Sequence, residues 1–161
     1  MLPSDNPINQ RKKVSKFTSD EIFLALTMVE KMESTVELIY HLMDHETSDS
    51  FVLMLIKADN NKVKNVLKGQ KRQTDMLFEI NAEQSLYVML CQDTQVDGGY
   101  HFGQRVMREL HIYQRTGIYC IALEIRSTKL KAKSVIFRLM EIFLGAEENE
   151  EYDEIIYKSL N

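Results

Sequence analysis

The chain has 161 residues, 44% apolar and 27% charged, which suits one globular domain able to bury a core without disulfide or metal staples. A net charge of −4 excludes the strong positive field that nucleic acid or an anionic membrane would need. The longest apolar run, Phe51 to Ile56, is too short to span a membrane, and no apolar signal core follows Arg11, Lys12 and Lys13, so the cytoplasm is the expected compartment.

Residues 1–16 hold both prolines and the basic triplet, and read as a flexible arm or the end of a linker. A single domain is expected over 17–161. Thr18 and Glu21 fit a capping box, so a helix should start there. Ile22, Leu26, Val29, Met32, Val36, Ile39 and Met43 recur at helical spacing, giving one long helix or two abutting ones to about His45. Such a helix buries one apolar stripe and can also pair through it. Glu46 to Ser50 is a polar turn, and Phe51–Ala58 is a continuous apolar run, as in a strand covered on both faces. A short helix is expected over Asn60–Leu67, then a basic loop from Gly69 to Arg72. Thr74–Ile80 and Ser85–Cys91 read as a hairpin around the polar turn Asn81–Gln84.

Thr94 to Gly99 is expected to be a turn, and His101–Tyr113 a helix presenting Phe102, Val106, Leu110 and Tyr113 on one face. Gly117 breaks it. Ile118–Ile125 should be a strand with Tyr119, Ile121, Leu123 and Ile125 on one side. Lys133–Leu144 should be a helix closed by Gly145, followed by an acidic turn at Glu147, Glu148, Glu150 and Glu151 and a last helix over Glu154–Leu160. Strands separated by helices give an α/β (α+β) class: one mixed sheet, carrying an antiparallel hairpin, with helices packed on it and a long N-terminal helix.

The usual catalytic signatures are missing. No Gly-rich phosphate loop occurs, since the adjacent Gly98 and Gly99 follow Asp97 in the expected turn. No cysteine pair has zinc spacing and no serine sits in a nucleophile elbow. Cys91 and Cys120 each lie inside an apolar run and read as reduced core thiols; a redox pair between strands is the alternative. His41 and His45 stand one helical turn apart, a spacing that can chelate a metal but also suits the C-terminal end of a helix dipole. The tyrosines and phenylalanines are spread over several elements and form no base-stacking platform.

One layout joins several of these elements. Arg72-Gln-Thr-Asp75 is followed by five residues, then Asn81-Ala82-Glu83-Gln84-Ser85, then the apolar strand Leu86–Leu90. This resembles the GGDEF family, the diguanylate cyclase-like domains of bacterial signalling, where an RxxD pair stands five residues before a GG(D/E)EF turn on a hairpin. Phe51–Ile56 with Lys57-Ala-Asp59-Asn-Asn-Lys62-Val-Lys-Asn65 looks like the family's first strand and DxDxFKxxN segment. Ile118–Ile125 matches the late core strand, and Tyr152–Tyr157 looks like the terminal AD-x-A-L-Y helix. The resemblance spans roughly 20–161 and implies a mostly antiparallel, nucleotidyl cyclase-like sheet flanked by helices.

The departures from the pattern bear on chemistry. The first metal-binding acid falls on Lys57, a cation where a cation must bind. The signature glycines, which let backbone approach a triphosphate, become Asn81 and Ala82. Glu83 keeps the place of the metal-binding signature acid, and the next acid becomes Gln84. Asn65 matches the family's guanine-reading Asn, but the second base-reading acid has no counterpart. The resemblance therefore implies a degenerate, non-catalytic domain with no metal and no cofactor.

The RxxD pair is the family's inhibitory site for cyclic di-GMP. Arg72 can make a bidentate contact to phosphate or guanine, and Asp75 can accept from a guanine N–H. Lys68 and Lys71 add positive charge nearby, and Asn65 and Lys71 are further candidates for ligand contact. Two functions follow: a cyclic di-GMP receptor through Arg72 and Asp75, or a ligand-free module that pairs with itself or a protein partner through residues 18–45. A third, an enzyme of another class using Glu83, Asp93 or Asp97 with a histidine, places its carboxylates at turns, where solvation is the rule.

Overall fold

A computed structural model of the chain describes residues 17–45 and 49–160. The arm expected over 1–16 lies outside the described residues, as do positions 46–48 of the expected polar turn. The elements run α1 (Ser19–Asp44), β1 (Phe51–Lys57), α2 (Val63–Gln70), β2 (Met76–Asn81), β3 (Leu86–Gln92), α3 (Val96–Leu110), β4 (Tyr119–Ile125), α4 (Ala132–Glu148) and β5 (Ile155–Leu160).

The strands form one sheet in the order β2-β3-β1-β4-β5. Central β1 pairs antiparallel with β3 and β4, β2 and β3 form the expected hairpin, and β5 lies parallel to β4. The continuous apolar run of β1 follows from this position, because both its faces are covered. Phe51, Leu53 and Leu55 point into one core with α1 and α4, while Val52, Met54 and Ile56 point into the other with α2 and α3. Ile121, Leu123 and Ile125 of β4 share the first core, as the alternation in the sequence predicts.

α1 is a single helix of 26 residues, roughly 39 Å long, started by the predicted capping box. Glu21 N donates to Thr18 Oγ1 at 3.1 Å and Thr18 N to Glu21 Oε1 at 2.9 Å. Its buried stripe is Ala25, Met28, Met32, Val36 and Ile39. Ile22 and Leu26, expected on that stripe, face solvent instead. The run from Ile22 to Leu26 is apolar throughout, so periodicity alone could not phase the first turns.

Three helices depart from their expected bounds. α3 begins at Val96 rather than His101, taking in Gly98 and Gly99. Poor helix formers are held there because the buried Glu124 carboxylate accepts from Val96 N at 2.8 Å. A Cβ on Gly99 would also stand 3.0 Å from Val52 Cγ1, so a side chain there would press on the sheet and require Val52 to shift. α2 runs over Val63–Gln70, three residues past the expected end. α4 passes through Gly145 to Glu148 and ends on Asn149, so Gly145 is not its cap and Glu147 and Glu148 are helical.

The last described element is a strand, not a helix: residues 152–154 form a bend that leads into it, and Ile155–Tyr157 are already its first residues. Ile155 packs against one core and Ile156 and Leu160 against the other, the two-faced alternation of a strand. Asp153 fixes the start of this pairing: its carboxylate accepts from Thr116 Oγ1 at 2.6 Å, Ile118 N at 3.1 Å and Gly117 N at 3.2 Å.

Cys91 pairs with Val52 and Cys120 with Ile56, on opposite sides of β1. Two strand spacings and four residues of stagger put their Cα atoms about 16 Å apart, far beyond the roughly 7 Å a disulfide spans. The redox-pair alternative is thereby excluded. Among the described residues no helix is long and apolar enough to cross a membrane.

Candidate functional site

Lys57 ends β1 and opens into a cleft of about 350 Å3 between the first turns of α1, the β2–β3 turn and the end of α4. Its Nζ lies 2.6 Å from Glu147 Oε2 and 5.7 Å from the centroid of the Phe143 ring. An ammonium and its counterion thus occupy this strand end. Glu147 could not be found from the sequence, where it reads as part of an acidic turn; only the extension of α4 by a turn brings it here. Among the described residues no three His, Cys, Asp or Glu are grouped to hold a metal ion.

The signature segment sits on the hairpin beside this cleft. Asn81 ends β2, and its Oδ1 accepts from Gln84 N at 3.1 Å, closing a tight turn. Ala82, Glu83 and Gln84 are exposed. Ser85 takes a positive φ of 51° and its hydroxyl donates to Asn60 O at 2.5 Å, tying the hairpin to the loop before α2. Asn81 and Gln84 line the cleft with Lys57.

Arg72 and Asp75 lie at the opposite end of that hairpin. The length of β2 puts them roughly 20 Å from the turn. They hold each other: Arg72 N donates to Asp75 Oδ2 at 2.7 Å, while Arg72 Nη2 and Nε donate to Asp75 Oδ1 at 2.9 and 3.1 Å. Nη2 also donates to Gln92 O at 2.7 Å and Thr94 Oγ1 at 2.8 Å, so Arg72 ties the entry of β2 to the exit of β3. Lys71 Nζ donates to Asp75 O at 3.0 Å and Arg72 O at 3.2 Å, closing the same turn.

The Asp75 side chain is 3% exposed and that of Arg72 is 54% exposed. Sequence reasoning expects both to face a ligand; the structure turns only Arg72 outward. Hydrogen bonding to Asp75 raises the guanidinium further above its ordinary pKa, so the charge is permanent. Of the guanidinium nitrogens, Nε and Nη2 make these bonds and Nη1 makes none of them. Arg72 opens on a cleft of about 230 Å3 that Gln70, Thr94, His101 and Arg105 also line. His101 and Arg105 stand one turn apart on α3, a juxtaposition that only the fold reveals.

Asn65 belongs to neither place. It lines a third groove, about 320 Å3, with Lys62 and Gln70 of the same segment, with Glu109 of α3 and with Tyr113 just past the end of that helix. Lys62 Nζ stands 5.8 Å over the Tyr113 ring. At the far end of α1, His45 Nδ1 lies 2.8 Å from His41 O and the two rings stand 4.2 Å apart, tilted by 41°, at the C-terminal end of the helix.

A five-stranded, mostly antiparallel sheet with β1 at its centre and two helices on each face defines a nucleotidyl cyclase-like domain. The active GGEEF domain of a diguanylate cyclase from Vibrio cholerae superposes with a TM-score of 0.62 over 81% of this chain and 96% of its own, at 10% identity. The diguanylate cyclase SiaD of Pseudomonas aeruginosa, solved in complex with its activator SiaC, superposes with a TM-score of 0.62 over 98% of this chain and 72% of its own, at 13% identity. No family model and no curated protein matches the chain. What is shared is the fold: the chain has the architecture of the GGEEF diguanylate cyclase domains.

Proposed function

We propose that this chain is a non-catalytic signalling domain of GGDEF architecture that receives cyclic di-GMP at Arg72. The observation that carries the non-catalytic half is the Lys57–Glu147 pair at 2.6 Å, which sets a fixed positive charge at the strand end where a catalytic divalent ion would have to sit. Phosphoryl transfer from GTP needs that ion to neutralise developing charge, and Lys57 repels it. Asn81 and Ala82 put side chains where the family pattern has glycines, whose bare backbone would approach a triphosphate.

The receptor half rests on the cleft of Arg72, His101 and Arg105. Asp75 takes the role of a buried brace that aims the guanidinium, in place of a group reading guanine. Two arginines and a histidine suit a ligand with two phosphates. Titration calorimetry with cyclic di-GMP is the test. Binding that disappears in Arg72→Ala and weakens in Arg105→Ala is expected. Absence of heat removes the receptor reading; pyrophosphate released from GTP with Mg2+ removes the non-catalytic one.

A second reading is a protein-interaction module acting through residues 18–45. It is favoured by Ile22, Phe23, Leu26 and Leu38, which are 52–72% exposed on a helix otherwise packed on the sheet. Light scattering at two concentrations, with Leu26→Asp as the control, tests self-pairing through this helix.

A further inference from the structure

We infer that the groove between α1 and α4 seats an amphipathic helix of another protein, one whose apolar stripe is flanked by Lys or Arg; this rests on the interaction-module reading. The groove measures about 410 Å3, with Phe17, Ile22, Ala25 and Leu26 on one side and Phe137 and Met140 of α4 on the other. Phe17, Ile22, Leu26 and Phe137 are 54%, 52%, 62% and 41% exposed. Contiguous exposed aromatic and aliphatic side chains mark a contact surface. Two helices side by side form the trough into which a third helix packs by its i, i+3, i+4 residues.

Charge selects the occupant. Glu21 and Glu141 flank the apolar floor, and among the described residues no Lys, Arg or His lines it. A second copy of the chain would bring the same two carboxylates from each side into one desolvated contact, where like charges are costly. An anionic membrane is repelled for the same reason. A helix carrying Lys or Arg beside its apolar stripe pairs both carboxylates and covers the floor.

The test is fluorescence anisotropy on the full chain with two synthetic helices of about 18 residues, one built of Leu and Lys and one of Leu and Glu in the same pattern. The Leu/Lys helix is expected to bind and the Leu/Glu helix not. Leu26→Asp and Phe137→Asp, both at exposed positions, should each weaken binding at least about tenfold. The double variant Glu21→Gln/Glu141→Gln should weaken it severalfold at low salt and not in 0.5 M NaCl. Glutamine keeps the acceptor that Glu21 offers to Thr18 N, so the helix start is preserved.

Equal binding of both helices, or unchanged binding in Phe137→Asp, overturns the inference. A dimer dissolved by Leu26→Asp assigns the groove to a second copy; the inference then fails while the interaction-module reading stands. Binding to phosphatidylglycerol vesicles that Leu26→Asp abolishes overturns it as well. So does peptide binding that appears only when Arg11, Lys12 and Lys13 are changed to Glu, which would assign the groove to the chain's own first residues. A monomer that binds neither helix removes both the inference and the reading beneath it.

Discussion

Replacing Lys57 by Met and Glu147 by Gln, singly and together, measures how firmly the ion pair holds its cleft. At 2.6 Å the Coulomb attraction is about 1.6 kcal/mol in a water-like medium and about 6 kcal/mol at an effective dielectric near 20. The two side chains are 27% and 32% exposed, so water screens much of the larger figure. Desolvation of both ions opposes what remains. A net coupling of about 1 kcal/mol is expected from the double-mutant cycle. Lys57→Met should cost more than Glu147→Gln, because it also removes the cation–π contact with Phe143.

Urea unfolding of the four proteins gives the coupling directly. In 1 M NaCl, where the Debye length is about 3 Å, the coupling should fall by half or more. Lys57→Asp would set two carboxylates against each other, and added Mg2+ should raise its unfolding midpoint while leaving the parent chain unchanged. A coupling below about 0.3 kcal/mol, or a parent chain stabilised by Mg2+, would refute the reasoning that a cation is built into this cleft.

Three further outcomes are expected. Glu124 joins the start of α3 to Ser159 of β5, accepting from Val96 N at 2.8 Å and Ser159 Oγ at 2.7 Å while 3% exposed; Glu124→Ala should cost about 2–4 kcal/mol in urea unfolding and Glu124→Gln about 1 kcal/mol, since glutamine keeps one acceptor. Burial pushes the Asp153 carboxyl up, but bonds from Thr116, Ile118 and Gly117 outweigh it and hold the group below the ordinary carboxylate range. Its contribution is therefore present above the unfolded pKa near 3.9 and lost as pH falls through the lower folded value; Asp153→Asn should cost about 1–2 kcal/mol at pH 7 and flatten the acid limb of the stability curve. Burial pushes the thiols of Cys91 and Cys120 up to about 12, so both should resist a thiol-specific reagent at pH 8 in the folded chain and react at once in denaturant.

The sequence carries most of the fold because hydrophobic period and punctuation agree along it. The capping box at Thr18, the apolar run of β1 and the polar turn between β2 and β3 each state their structure locally. The misplaced ends have a common cause. Val96 to Gly99 is helical where Glu124, nearly thirty residues later, caps it, and Ile155–Leu160 extends because β4 offers it an edge. The site was legible in its residue types and not in its distances. Arg72 and Asp75 form the expected pair, yet nothing local told that Asp75 is buried as a brace. Glu147, His101 and Arg105 have no motif; α4 and α3 deliver them from far along the chain.

The parallel strand β5 sets an order of events. It pairs with β4 from Cys120↔Ile155 to Ile125↔Leu160, so the outer rim of β4 offers bare amides and carbonyls until residues 155–160 have left the ribosome. Every other strand partnership can close before then. A nascent chain paused there carries an open rim, the template on which strands of neighbouring chains add. Truncations inside β5 should accordingly reveal themselves first as aggregates.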